Sequence, residues 1–221
     1  MRVVLLPGQA DIFSSWNATL ETTQKQLEAY LEFKCMAFPR FYFLSNDELL
    51  EILAQTRNVQ AVQPHINKCF DGIKSLDFGG QHANSPMKNF DENSVDIFGI
   101  ISPESEYVTM GKNLKARGEV ENWLMATERR MVESLRQLSK ESVVDYTTRP
   151  RHEWVMDHAG QIVILVSHIY WVKGAEEALD GLLVPDDPIE GIKKWYDQTV
   201  VYLNGLITLV RGELTKLQRG S

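Results

Sequence analysis

The chain has 221 residues, 43% of them hydrophobic and 24% charged, which is the composition of an ordinary globular domain and excludes disorder. With 23 basic and 30 acidic residues it carries a net charge of −7, a balance that disfavours nucleic acid and anionic lipid as partners. Two cysteines, Cys35 and Cys69, make no disulfide framework and fit a reducing compartment.

In chain order, Phe13, Trp16, Leu20, Thr23, Leu27 and Leu31 recur at spacings of three, four and seven. They predict an amphipathic helix over about 12–34 with one buried face, ending near Pro39. Phe38-Pro-Arg-Phe-Tyr-Phe-Leu44 is dominated by aromatics and predicts a short strand or extended segment. Ser45 and Glu48 form a capping box that starts a helix through about Leu53. A further helix is expected over about 58–73, bent or restarted at Pro64. Residues 77–94, with Gly79-Gly80 and Pro86, predict a long loop. Residues 95–101 and 107–110, joined by a polar turn at 103–106, predict a β-hairpin.

From Gly118 onward nearly everything predicts helix. Val120, Leu124, Met131, Leu135 and Leu138 form one stripe, and Arg149-Pro150 breaks it before a short helix through Trp154. The apolar run 162–172 spans 11 residues, well short of the roughly 20 that cross a membrane, and predicts a buried helix within 160–182. Pro188 opens a last helix over about 188–217, roughly 45 Å long, in which Ile192, Tyr196, Thr199, Leu203, Leu206, Val210, Leu214 and Leu217 share a stripe. The expected fold is mainly α: an elongated multi-helix bundle or rod with a small β-hairpin, with helices and the β element in about 1–110 and a long-helix bundle in about 111–221.

No catalytic, cofactor or metal site emerges. Gly111-Lys112-Asn113 lacks both the hydroxyl residue and the second glycine of a phosphate loop. His65 and Cys69 are four apart and can share a helix face, but no second pair has metal spacing, so packing is the reading. His152, His158 and His168, near Glu153 and Asp157, make no ligand pattern. Asp186-Asp187 reads as acids at a helix start rather than half of a calcium or acid/base site. Glu128, Arg129, Arg130, Glu133 and Arg136 read as a solvated face, and the five tryptophans, spread over five helices, as core.

One stretch says more. Phe38-Pro-Arg-Phe-Tyr-Phe-Leu-Ser-Asn-Asp-Glu-Leu-Leu-Glu-Ile-Leu53 resembles a hallmark of the dynein heavy chain linker, and Ala61-Val-Gln-Pro-His-Ile-Asn-Lys-Cys-Phe70 is similar to the segment after it. Ser102-Pro-Glu-Ser-Glu-Tyr-Val108 resembles the family's Ser-x-Glu-Gly-Glu hairpin, with Ser105 where glycine is common. Val120-Glu-Asn-Trp-Leu124 resembles a Val-Glu-x-Trp-Leu helix start. Glu153-Trp154 with His158-Ala-Gly-Gln161 resembles an Glu-Trp…His-Pro-Gly-Gln stretch, with Ala159 where proline is common. The matches run from about Gln26 to Val172, residues 1–25 match poorly, and the wording is closer to axonemal than to cytoplasmic chains. Gly220-Ser221 reads as a cloning remnant and the whole as a piece excised from a longer linker.

The resemblance implies a non-catalytic mechanical segment: part of a lever that swings over an AAA+ ring to drive movement on microtubules. ATP and magnesium would bind in that ring and no cofactor in this segment. The implied partners are the ring and the remaining linker helices, with no nucleic acid and no membrane, in the cytoplasm and the axoneme of a cilium or flagellum. Arg40, Phe41, Tyr42, Glu104, Glu106 and Tyr107 are the residues at which a hinge or ring contact is expected. The rival reading is a free-standing helical scaffold or adaptor that binds partners in grooves between its helices.

Overall fold

The computed structural model describes residues 8–54, 58–80, 82–87 and 94–212. The predicted elements at 213–217, the part of the predicted loop at 88–93, and Gly220-Ser221 lie outside them. The fold is mainly α: seven α-helices and, among the described residues, one antiparallel sheet of three short strands.

Helix α1, Gln9–Ala37, ends where Phe38 turns extended ahead of Pro39. Only Leu31, Lys34 and Cys35 of it are buried. The predicted buried face is therefore a correction: Phe13, Trp16, Leu20 and Leu27 are exposed, Trp16 by 60%. The periodicity marks a face suited to burial, but no other described element covers it.

Residues Pro39–Phe43 form a 3₁₀ turn rather than a strand. Proline at the first position presets a helical φ, Phe41 N–H donates to Phe38 O (3.0 Å), and Leu44 N–H donates to Phe41 O (3.0 Å). No neighbouring strand competes for these backbone groups. The aromatics instead enter the core, Phe38 and Phe41 packing edge to face at 5.0 Å. The capping box forms as predicted. Ser45 N–H donates to Glu48 Oε2 (3.0 Å), Glu48 N–H donates to Ser45 Oγ (3.3 Å), and α2 follows over Asn46–Ala54. The helix expected over 58–73 is a 3₁₀ segment, Val59–His65, and one α turn, α3, Ile66–Cys69. Pro64, lacking an N–H, sits where the pattern changes.

The predicted hairpin is β2, Asp96–Ile101, and β3, Tyr107–Lys115, with β1, Ser75–Asp77, added on the far side of β2. At three residues β1 is too short to show a period. Its edge is closed by a side chain: Gln63 Nε2 donates to Leu76 O (2.6 Å) and Leu76 N–H donates to Gln63 Oε1 (3.0 Å). Between the pairs Gly99↔Thr109 and Ile97↔Leu114, β2 advances two residues and β3 five. Gly111 (φ 67°) supplies the left-handed residue of that bulge, so the Gly-Lys-Asn tripeptide is part of a strand.

Helix α4, Val120–Thr148, is 29 residues long, about 43 Å. Its first half packs Val120, Trp123 and Leu124 into a core with Phe38, Phe41, Phe70 and the sheet. In its second half Leu135, Leu138, Val143 and Tyr146 pack around a smaller core of Trp154, Ile162 and Val166. These come from α5, Arg151–Asp157, and α6, Gly160–Leu179. The apolar helix α6 is buried only at Ile162, Val166 and Ala178; Ile164, Leu165, Ile169, Trp171 and Val172 are exposed, against expectation. Helix α7, Pro188–Arg211, starts on the Asp187 cap, whose Oδ1 accepts from Glu190 N–H (3.1 Å), and packs on α6.

Candidate hinge and contact residues

The six residues singled out by resemblance fall in two places. Arg40 stands in the 3₁₀ turn and ties three elements. Its Nη2 and Nε donate to Glu128 Oε1 on α4 (2.7 and 3.1 Å), its Nη1 donates to Cys69 O at the end of α3 (3.0 Å), and its guanidinium lies 4.9 Å from the Phe70 ring centroid. Glu128 therefore does more than face solvent. Phe41 is fully buried beneath it. Tyr42 points outward, 56% exposed, and its hydroxyl donates to Glu32 Oε1 of α1 (2.8 Å); that carboxylate pushes the phenol pKa up.

The second place is the hairpin. Glu104 is exposed in the turn. Ser105 is the only non-glycine residue with positive φ (69°) among the described residues, which accounts for a preference for glycine there. Glu106 Oε1 accepts Gly160 N–H (2.9 Å) at the start of α6. The cap of that helix, Ala159, offers no side-chain bond, so Glu106, 54 residues earlier, supplies both the acceptor and the negative charge that a helix N-terminus favours. Tyr107 OH donates to Asp77 Oδ2 (3.0 Å), and its ring stacks on His82 at 5.0 Å. Burial, then the neighbouring Asp77, push its phenol pKa well up. His82 in turn bonds through Nε2 to Ser105 O (3.2 Å). Gly99 lies under the Tyr107 ring, where a Cβ would come within 2.5 Å of it.

Sequence reasoning missed a third tie. Lys34, 6% exposed at the end of α1, donates to Glu119 Oε2 (2.6 Å) and to Glu121 Oε1 (2.7 Å) beside the start of α4. Burial works against its charge, but the two carboxylates outweigh it and hold the ammonium well above the usual lysine range. A lysine on an exposed-looking helix, with partners 85 and 87 residues away, gives no local signal. The His65–Cys69 pair is packed. His65 Nδ1 and Nε2 lie 3.7 and 3.4 Å from Glu48 and Glu51, while the Cys69 thiol is in the core, where burial raises its pKa to about 11. Of the tryptophans, Trp123 and Trp154 are core, but Trp16 and Trp171 are exposed. Among the described residues no three His, Cys, Asp or Glu side chains are placed to hold a metal, and no helix is long and apolar enough to cross a membrane.

The profile of the family described as dynein heavy chain, N-terminal region 2, matches residues 2–142. This chain belongs to the dynein heavy chain family. It is 45% identical to human dynein axonemal heavy chain 6 over 99% of its own length, 37% identical to mouse dynein axonemal heavy chain 12 over 97%, and 39% identical to mouse dynein axonemal heavy chain 3 over 95%. The similarity thus extends well beyond residues 26–172, and through the poorly matching first 25 residues. The chain spans only 5–6% of the length of these heavy chains.

Proposed function

We propose that this chain is a mechanical, non-catalytic segment of the linker of an axonemal dynein heavy chain, acting inside a cilium or flagellum. The observation that carries the reading is that one long helix, α4, is built into both hydrophobic cores. A load applied at the α1 end reaches α6 and α7 through a continuous helix, and close-packed cores do not deform gradually. A free-standing adaptor has no need of such a spine, and the dynein heavy chain relatives favour the lever. In this reading ATP and magnesium bind in the AAA+ ring of the same polypeptide. Exposed Tyr42 and Glu104 are the ring-facing contacts, while Arg40, Phe41, Glu106 and Tyr107 hold the segments that carry them.

The test is made in an intact heavy-chain motor. Glu133 lies on α4 between the two cores with its side chain exposed. Glu133→Pro breaks the helix there, and Glu133→Ala is the control. The expected result is continued ATP hydrolysis with microtubule gliding slowed several-fold for the proline variant alone. Gliding at the control rate, with the segment still folded, refutes the lever reading.

A further inference from the structure

Ser85-Pro86 and Ser102-Pro103 are the two Ser-Pro pairs of the chain. Proline has no N–H, so such a serine suits kinases that need no hydrogen bond from the residue after the acceptor. The two serines stand differently. Ser102 is locked into the β2–β3 turn, where its N–H donates to Glu106 O (3.0 Å) and its Oγ accepts Glu106 N–H (3.1 Å). Ser85 lies outside any helix or strand and is half-buried, while Ala83, Asn84, Pro86 and Met87 around it are exposed. In the sequence a lysine, Lys88, follows Ser85 by three places, where Ser102 is followed by the uncharged Ser105. A cation at that spacing is a second recognition feature, and Ser102 lacks it.

Ser85 also belongs to the cluster that holds Tyr107. Its Oγ accepts Gly80 N–H (3.2 Å), and its hydroxyl donates to the Tyr107 oxygen, which donates onward to Asp77 Oδ2 (3.0 Å). Asp77 is fully buried, and no lysine or arginine pairs with it among the described residues. The Ser85 N–H donates to His82 O (3.0 Å), so the same turn carries the imidazole that stacks on Tyr107 and bonds to Ser105 O. A phosphate on Oγ removes the hydroxyl proton, and the Tyr107 oxygen loses its donor. It also sets about two negative charges one hydroxyl away from the buried Asp77 carboxylate, where like charges repel. Both effects drive the 82–87 turn off the hairpin, and His82 with it.

We propose that Ser85 is the acceptor of a proline-directed serine/threonine kinase and that its phosphate detaches the 82–87 turn from Tyr107. The γ-phosphoryl group of ATP passes to Ser85 Oγ. The new O–P bond forms as the bond to the departing ADP oxygen breaks, and the hydroxyl proton goes to the kinase's catalytic carboxylate. The test uses the purified intact heavy chain, treated with phosphatase and then with a cyclin-dependent kinase and magnesium ATP. Phosphopeptide mass spectrometry should find Ser85 modified in large excess over Ser102. Hydrogen exchange should then show the amides of residues 105–109 exchanging several-fold faster than before treatment. Ser85→Ala, treated alike, should show neither change. An unmodified Ser85, while a synthetic peptide of residues 80–92 is phosphorylated, overturns the proposal. So does a phosphorylated Ser85 with unchanged exchange at 105–109, or faster exchange in treated Ser85→Ala as well. Neither readout needs movement, so this proposal and the lever reading stand or fall separately.

Discussion

Removing the Lys34 ammonium asks how firmly α1 is fixed to α4. In Lys34→Met the buried Glu121 loses its counter-ion, and its Oε2 already has no hydrogen-bond partner. Breaking a buried ion pair on one side costs about 3–5 kcal/mol. With a urea m-value of about 3 kcal/mol/M, that lowers the midpoint by about 1–2 M. Glu119→Gln should cost only about 0–1 kcal/mol, since that side chain is 64% exposed. Lys34→Met with Glu121→Leu should recover most of the loss, because no charge is then left buried. Lys34 has a folded pKa raised above its unfolded value, so its contribution is fully present below pH about 10.5 and is lost only as pH rises through the folded value. The deficit measured at pH 7 should therefore equal that at pH 9. Urea titration followed by far-ultraviolet circular dichroism and tryptophan fluorescence provides the measurement. A Lys34→Met midpoint within experimental error of the wild type would show that the trio contributes nothing to the α1–α4 joint.

Ser105→Gly removes a left-handed strain and should raise stability by about 0.5–1 kcal/mol, seen as a higher melting temperature. Ala159→Pro should add a similar amount. The site has φ −62°, His158 before it is extended, and the Ala159 N–H makes no hydrogen bond among the described residues, so proline removes unfolded-state freedom at no native cost. Glu48 is held at a pKa of about 2 by Lys68, and then by the Ser45 amide. Its contribution is present above pH about 4.5 and disappears as pH falls through 2, so Glu48→Gln should flatten the acid limb of the stability curve relative to wild type.

Features written within a few residues were legible in the sequence. The Ser45–Glu48 box, the Pro188 start and the hairpin all depend on neighbours. Phe38–Leu44 misled because a run of aromatics reports a need for burial, and the choice between strand and turn falls to whichever backbone partners are near. The apolar periodicity of α1 and the apolar run of α6 predict burial, and the structure leaves most of those side chains exposed. A single sequence does not say whether cover is within reach, and Phe13, Trp16 and Trp171 stay half or more exposed. The ties of the candidate site were illegible for a plainer reason. Arg40–Glu128, Lys34–Glu121 and Glu106–Gly160 join residues 88, 87 and 54 apart, and no local pattern selects one acid from 30.

Those long-range ties also decide what kind of stiffness the fold can have. A single shared helix packed into both cores resists bending, stretching and twisting through its own backbone alone. A second connection off its axis adds resistance to rotation of the two cores about it. Glu106 provides one, since it stands in the turn between β2 and β3, whose sheet packs in the first core, and caps α6 of the second. Tyr107, the next residue, opens β3, is held by Asp77 and stacks on His82, so the turn carrying Glu106 is itself anchored. The hairpin resemblance thus corresponds to an anchor whose role is geometric. A carboxylate meeting a helix N-terminus is charge-assisted and directional, so the bond fixes how α6 is oriented against the hairpin.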